Sequence, residues 1–168
     1  LLIASDRNDV QGNAAQFDLQ YARDSRIQHR MSIDWFDEKV NFNDLGFLQR
    51  NDYRGAQYNL LYANPNNGGK VTDVRGTVIV NGKVNESEGQ LVDGGVYWRN
   101  SMILPGRNTL RSGLGFLPAG YEDRDSRGNG AYKTESRTWA ELLLATDASR
   151  EGSWSVSAAT QQENLGGW

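Results

Sequence analysis

Three acid pairs stand close together in the chain: Asp6 with Asp9, Glu86 with Glu88, and Asp123 with Asp125. Two carboxylates held at a fixed separation on rigid elements can share general acid and base roles. Each of these pairs, however, falls in a segment that reads as a loop, among Asn, Gly and Ser, where acids ordinarily form turns. Asp123-Arg124-Asp125-Ser126-Arg127-Gly128 has the alternating oxygens and following Gly of a calcium loop. Arg127 stands where a further Asp or Asn is needed, and Thr134 where the bidentate Glu belongs, so a solvated loop is the plainer reading. The chain has 1 His and 0 Cys, which rules out a His-based zinc cluster, a thiolate metal site and a disulfide framework. That histidine, His29, lies between Gln28 and Arg30 with no nucleophile elbow beside it, and reads as a packed or interfacial side chain. Gly113-Leu114-Gly115 lacks the third Gly and the following helix of a dinucleotide loop. The expectation is a non-enzyme without cofactor or metal. The net charge of −3 and the absence of a Lys/Arg cluster also argue against nucleic acid as a partner.

The elements that carry these residues follow from the period of the apolar positions. Phe17, Leu19 and Tyr21 alternate with Gln16, Asp18 and Gln20; Ile27, Met31, Ile33 and Trp35 alternate with Gln28, Arg30, Ser32 and Asp34. Period two puts one kind of side chain on each face of a strand. The same alternation recurs around Tyr58 and Tyr62, Val78 and Val80, Val96 and Trp98, Leu114 and Phe116, Leu142 and Leu144, and Trp154 and Val156. Turn chemistry separates the runs, as in Pro65-Asn66-Asn67-Gly68-Gly69 and Pro105-Gly106-Arg107-Asn108. Glu141-Leu142-Leu143-Leu144 is the best helical alternative, but its surroundings are β-rich. Nine strands are expected, over roughly 1–5, 14–23, 27–37, 55–63, 71–82, 90–104, 109–117, 131–146 and 152–162.

At 168 residues the chain suits a single domain, 1–168. Hydrophobic residues make up only 38%, low for a soluble core, yet 5 Trp, 7 Tyr and 5 Phe are too many for a disordered chain. No run approaches the length of a membrane-spanning helix. The opening Leu1-Leu2-Ile3-Ala4-Ser5 carries neither Met nor a charged signal region, so a segment of a longer chain is expected.

Three features favour a membrane barrel over a two-layer sandwich. The expected strands are mostly of the length that crosses a bilayer when tilted, about 9–11 residues. The connections 6–13, 38–54, 83–89 and 118–130 read as longer than those that alternate with them, as in barrels with long external loops and short periplasmic turns. Charges fall on the polar face of their strands, where a lumen would spare them the cost of meeting lipid. Asp18, Arg30, Asp34, Arg75, Asp93, Arg99, Arg137 and Glu141 are the residues expected to line it. Tyr21, Trp35, Phe36, Tyr53, Tyr58, Tyr62, Tyr121, Tyr132 and Trp154 are expected as interfacial girdles, although exposed rings in a soluble lectin would stack on sugars instead.

The segment Phe42-Asn43-Asp44-Leu45-Gly46-Phe47-Leu48-Gln49-Arg50-Asn51-Asp52-Tyr53-Arg54 resembles a recurrent motif of one family. These are uncharacterised Gram-negative proteins with an N-terminal carbohydrate-binding domain of the family-nine type and a C-terminal membrane-associated β-barrel. Leu114-Gly115-Phe116 and Thr138-Trp139-Ala140-Glu141 are also similar to family patterns. The resemblance covers about residues 14–168 and implies an interior part of the barrel half, without the carbohydrate-binding domain. Phe42, Gly46, Phe47, Arg50, Asp52 and Arg54 match the motif, and it implies a structural role for them: a tight turn at Gly46, with Arg50 and Arg54 paired to carboxylates.

The sequence therefore leads to an all-β, antiparallel up-and-down meander of about nine strands. It is expected to be part of an outer-membrane, porin-like β-barrel with a structural or passive transport role. Outer-membrane lipid is its expected partner, together with the remainder of the barrel or a partner chain at the open strand edges. The alternative is a soluble β-sandwich or jelly-roll module that binds carbohydrate.

Overall fold

The computed structural model describes residues 2–7, 10–40, 51–66, 69–122 and 130–164. Among them there is no α-helix, and the one helical turn, Pro105–Arg107, is three residues long. Eleven strands follow in chain order: β1 (Leu2–Arg7), β2 (Val10–Ala22), β3 (Ile27–Phe36), β4 (Tyr53–Asn64), β5 (Thr72–Asn85), β6 (Leu91–Leu104), β7 (Asn108–Leu117), β8 (Gly120–Glu122), β9 (Tyr132–Thr134), β10 (Arg137–Ala145) and β11 (Ser155–Glu163). All but β8 and β9 join one sheet, in the order β1-β2-β3-β4-β5-β6-β7-β10-β11. Every ladder is antiparallel, so the chain is an up-and-down meander. The sheet is open, with β1 and β11 as its edges.

Turn chemistry sets the reversals. Between β2 and β3 the Asp24 carboxylate accepts the backbone N–H of Arg26 at 2.7 Å and of Ile27 at 3.0 Å. That replaces the ladder bonds these donors lose at the turn. Between β6 and β7, Gly106 takes φ 76°, a left-handed conformation that costs a glycine little. The guanidinium of Arg150 donates to the Gly106 carbonyl at 2.7 Å and ties this turn to the one between β10 and β11.

At the other end of the strands, the chain after β3 bends back over β2. A Cβ on Gly12 would overlap Val40 N and the Lys39 carbonyl carbon, and Asp37 N donates to the Asn13 carbonyl at 3.0 Å. Only a glycine admits so close a backbone approach. Val40 and Ala14, at 1% and 3% exposure, are the buried apolar residues among those described. Among the described residues, contacts of any extent run between ladder neighbours, with the small β8-β9 sheet lying beside β6, so the nine strands form a single layer.

Several expected boundaries move. The first strand runs to Arg7 and the second starts at Val10, not Ala14, so the loop expected over 6–13 shrinks to residues 8–9. Gln11-Gly12-Asn13 reads as a turn in sequence, yet its backbone pairs with β1 from Arg7↔Val10 to Leu2↔Ala15. The strand expected over 131–146 is broken in two. Its first part, β9, pairs with β8 outside the main sheet, because β7 ends at Leu117 before Pro118 and offers no further ladder. The expected segregation of loop lengths fails as well. The connection 146–154, expected among the short ones, is longer than 86–90, expected among the long ones.

Candidate functional site

In an antiparallel ladder, residues directly opposite share a face, so the register carries each side chain's face from strand to strand. Following Leu19↔Met31, Met31↔Tyr58, Tyr58↔Val80, Val80↔Val96 and Val96↔Phe116 traces an apolar face from β2 to β7. A second row, Leu60↔Val78, Val78↔Trp98, Trp98↔Leu114 and Leu114↔Ala140, extends it to β10. Leu142, Leu144, Val156 and Ala158 continue it to the far edge. The belt runs diagonally. It is centred on Leu19 in β2 but on Val156 and Ala158 in β11, where the residue level with Ala140 is Thr160. Its members stay open to the surroundings: Leu19, Leu114 and Leu142 are 50–52% exposed and Val156 61%.

The opposite face is polar. The same ladders place Asp18, Arg30, Asp34, Arg75, Asp93, Arg99, Arg137 and Glu141 on it, all eight together. Lys83 and Glu163 join them, each one residue beyond the end expected for its strand, and their alternation was the signal that pointed to them. Lys83 Nζ lies 3.8 Å from Asp93, and Arg137 lies 3.9 Å from Glu163. From β2 onwards, the charged ladder residue on the apolar side is Arg54, at the rim.

Aromatic rings also furnish this polar face. Trp139 stands opposite Gly115, and its indole occupies the space a Cβ would take on Gly113 or Gly115. The guanidinium of Arg99 caps that ring at 5.4 Å from its centroid and lies 3.8 Å from Glu141. Tyr97 lies in the same way along its own strand over Gly95. Glycine pairs in the sequence thus serve as seats for rings.

Of the expected girdle, Tyr21, Trp35, Tyr58 and Tyr62 lie on the apolar face, but Phe36 and Tyr53 do not. Their even and odd positions put them on the polar side, stacked with ring centroids 4.9 Å apart. Tyr121 and Tyr132 belong to the small hairpin, and Trp154 sits exposed in the turn before β11. His29 is on the apolar face, where Nδ1 is 2.8 Å from the Tyr58 hydroxyl.

Within the motif segment, Phe42, Gly46, Phe47 and Arg50 lie outside the described residues, as does the acidic loop Asp123–Gly128. Asp52, with φ 53°, accepts Ser87 N at 3.0 Å and Ser87 Oγ at 2.6 Å, which ties two connections together. Arg54 lies 3.7 Å from Glu86 in the same place. Among the described residues no group of His, Asp or Glu is arranged to hold a metal ion.

Two carboxylates outside the strands are held ionised by local donors. Backbone N–H groups of Arg26 and Ile27 hold the Asp24 carboxyl below its usual range. Ser149, through its backbone and hydroxyl, does the same for Asp147. Both serve turns. No family model matches this chain, nor does any curated protein or solved structure.

Proposed function

We propose that the chain builds part of the wall of an outer-membrane β-barrel with a polar, mixed-charge interior and a structural or passive transport role. One observation carries this reading: a single-layer sheet with a continuous apolar belt on one face and, from β2 onwards, the ladder charges, Arg54 apart, on the other. In water such a belt would be an exposed apolar patch far larger than the few hundred Å² that soluble monomers tolerate. In a bilayer it meets hydrocarbon at no cost, while a mid-depth Arg on that side would cost about 2–4 kcal/mol.

The diagonal course of the belt supports the same reading. Strands tilted across a slab of fixed height meet it progressively further along the ladder from one strand to the next. From β2 to β11, save the short β8 and β9, strands run 9 to 14 residues, enough for a tilted crossing. A sandwich would need a second sheet about 10 Å from the belt to bury it. The bend of residues 37–40 over the polar face fits a loop folded toward an interior. The likeness of residues 42–54 to a barrel-family motif belongs to the same proposal.

The two edges need partners. Nine antiparallel strands leave β1 and β11 running in the same direction, so joining them directly would give a parallel ladder. An antiparallel barrel closes only when an odd number of further strands, from the remainder of a barrel or from a partner chain, stands between them. The test is biochemical. Purified protein is expected to need detergent, to float with phosphatidylethanolamine–phosphatidylglycerol vesicles and to migrate differently on a gel before and after boiling. A monodisperse protein in plain buffer that never floats would overturn the reading.

A further inference from the structure

Charge on the polar face is sorted along the strands. The ladder row from Arg30 through Ile79 and Tyr97 to Trp139 divides it. On this row, and between it and the turns at 23–26 and 105–107, stand Arg30, Arg75, Arg99 and Arg111. Two carboxylates offset them: Glu141 at 3.8 Å from Arg99, and Asp73, which accepts from Arg75 at 2.9 Å. Neither Arg30 nor Arg111 has an ion-pair partner among the described residues. On the other side of the row the balance reverses. Asp18, Asp34, Asp93 and Glu163 stand there with Lys83 and Arg137.

The arginines also converge. Ser101 is the direct ladder partner of both Arg75 and Arg111, and Arg99 lies two residues from it on the same face. Arg75 and Arg111 are thus two strand spacings apart, about 10 Å, with a hydroxyl between them. Long guanidinium side chains can close on one small anion across that gap, in the forked geometry that suits oxyanions. Arg75 and Arg99 are each 65% exposed, so beside their carboxylate partners their guanidinium groups still face the open space.

We propose that Arg75, Arg99 and Arg111 around Ser101, with Arg30, form an anion-selecting zone of the interior that takes small inorganic or carboxylate anions in preference to cations. It rests on the barrel reading above. A low-dielectric wall focuses the field of an uncompensated charge into the space it encloses.

The test is the reversal potential, in a planar lipid bilayer under a potassium chloride gradient, of the closed barrel that contains these strands together with the remainder of its wall. The expected result is a chloride preference of about threefold, the effect of a potential near one kT. Double reversal by Arg30→Glu and Arg111→Glu is expected to turn it into a potassium preference. Arg111→Lys should keep the chloride preference, and so should Lys83→Glu on the other side of the row. Both reversed side chains are exposed and outside any ion pair among the described residues, so the double variant is expected to float with vesicles like the parent. Channels without an anion preference, or a preference unmoved by the double reversal, overturn the zone and leave the barrel standing. Inserted protein that passes no ions overturns the zone too. Protein that neither floats nor shows heat-modifiable migration removes the barrel, and the zone with it.

Discussion

The imidazole of His29 hydrogen-bonds the hydroxyl of Tyr58 across the β3–β4 ladder, Nδ1 to Oη at 2.8 Å, on the apolar face of the sheet. Tyr21 flanks the same ring at 5.8 Å between centroids, so the imidazole stands between two tyrosines. A hydrogen-bonding group left without a partner in an apolar setting costs about 1–3 kcal/mol. Tyr58→Phe removes the hydroxyl and little else. It is expected to lower the unfolding free energy in detergent by about 1–2 kcal/mol, and His29→Phe in the same background to restore most of that loss. Denaturant midpoints of the two single variants and the double variant check this. Additive losses would mean that the pair does not interact.

Trp139 and Gly115 make the corresponding test on the polar face. The indole fills the space a Cβ at position 115 would need, so Gly115→Ala forces the ring off its seat and away from the guanidinium of Arg99. Overpacking of this kind costs about 1–3 kcal/mol. The loss is expected in the denaturant midpoint, together with a change in tryptophan fluorescence. Gly152→Ala is the control, since nothing lies within 4 Å of a Cβ there.

How much of this was legible in the chain follows from how a strand encodes its faces. Alternation is strictly local, and the antiparallel ladder passes it on unchanged, so the placement of Asp18, Arg99 and Glu141 on one side could be read without coordinates. Phe36 and Tyr53 were equally readable by parity, but grouping aromatics by type put them on the wrong face. Other features depend on contacts distant in sequence. Gln11-Gly12-Asn13 has the composition of a turn and becomes strand because β1 pairs with it and Val40 needs the bare glycine. The three-residue strands β8 and β9 are too short for any period to register. The seat of Trp139 on Gly113 and Gly115 joins positions that only the β7–β10 register brings together.

Asp24 gives a pH dependence of known sign. Two backbone N–H groups hold its carboxyl below the ordinary value of 3.8, so the folded turn prefers the ionised form. A depressed folded value contributes stability that is present above the unfolded pKa and is lost as pH falls through the folded one. Asp24→Asn is therefore expected to be less stable than the parent at neutral pH. The difference should shrink as the pH drops below 3.8 and vanish in stronger acid. Unfolding curves of both proteins between neutral and acidic pH measure it. A gap that stays constant across that range would place the effect in the amide's shape and not in its charge.

Leu60 and Leu142 put the face assignment at direct risk. Both belong to the apolar belt, Leu60 opposite Val78 and Leu142 opposite Ala158, and Leu142 is 52% exposed. If that belt meets hydrocarbon, Leu60→Arg and Leu142→Arg each place a guanidinium in lipid at a cost of about 2–4 kcal/mol, and together they should abolish flotation with vesicles. Asn59 and Glu141 are the neighbours of these leucines on the opposite face, so Asn59→Arg and Glu141→Arg place the same guanidinium group at the same height on the polar side. Those variants should float like the parent. A soluble two-layer protein gives a different pattern, in which the leucine variants unfold in plain buffer and vesicles make no difference to any of the four. Normal flotation of the doubly substituted leucine variant would mean that oily side chains at every second position do not point outward into a membrane.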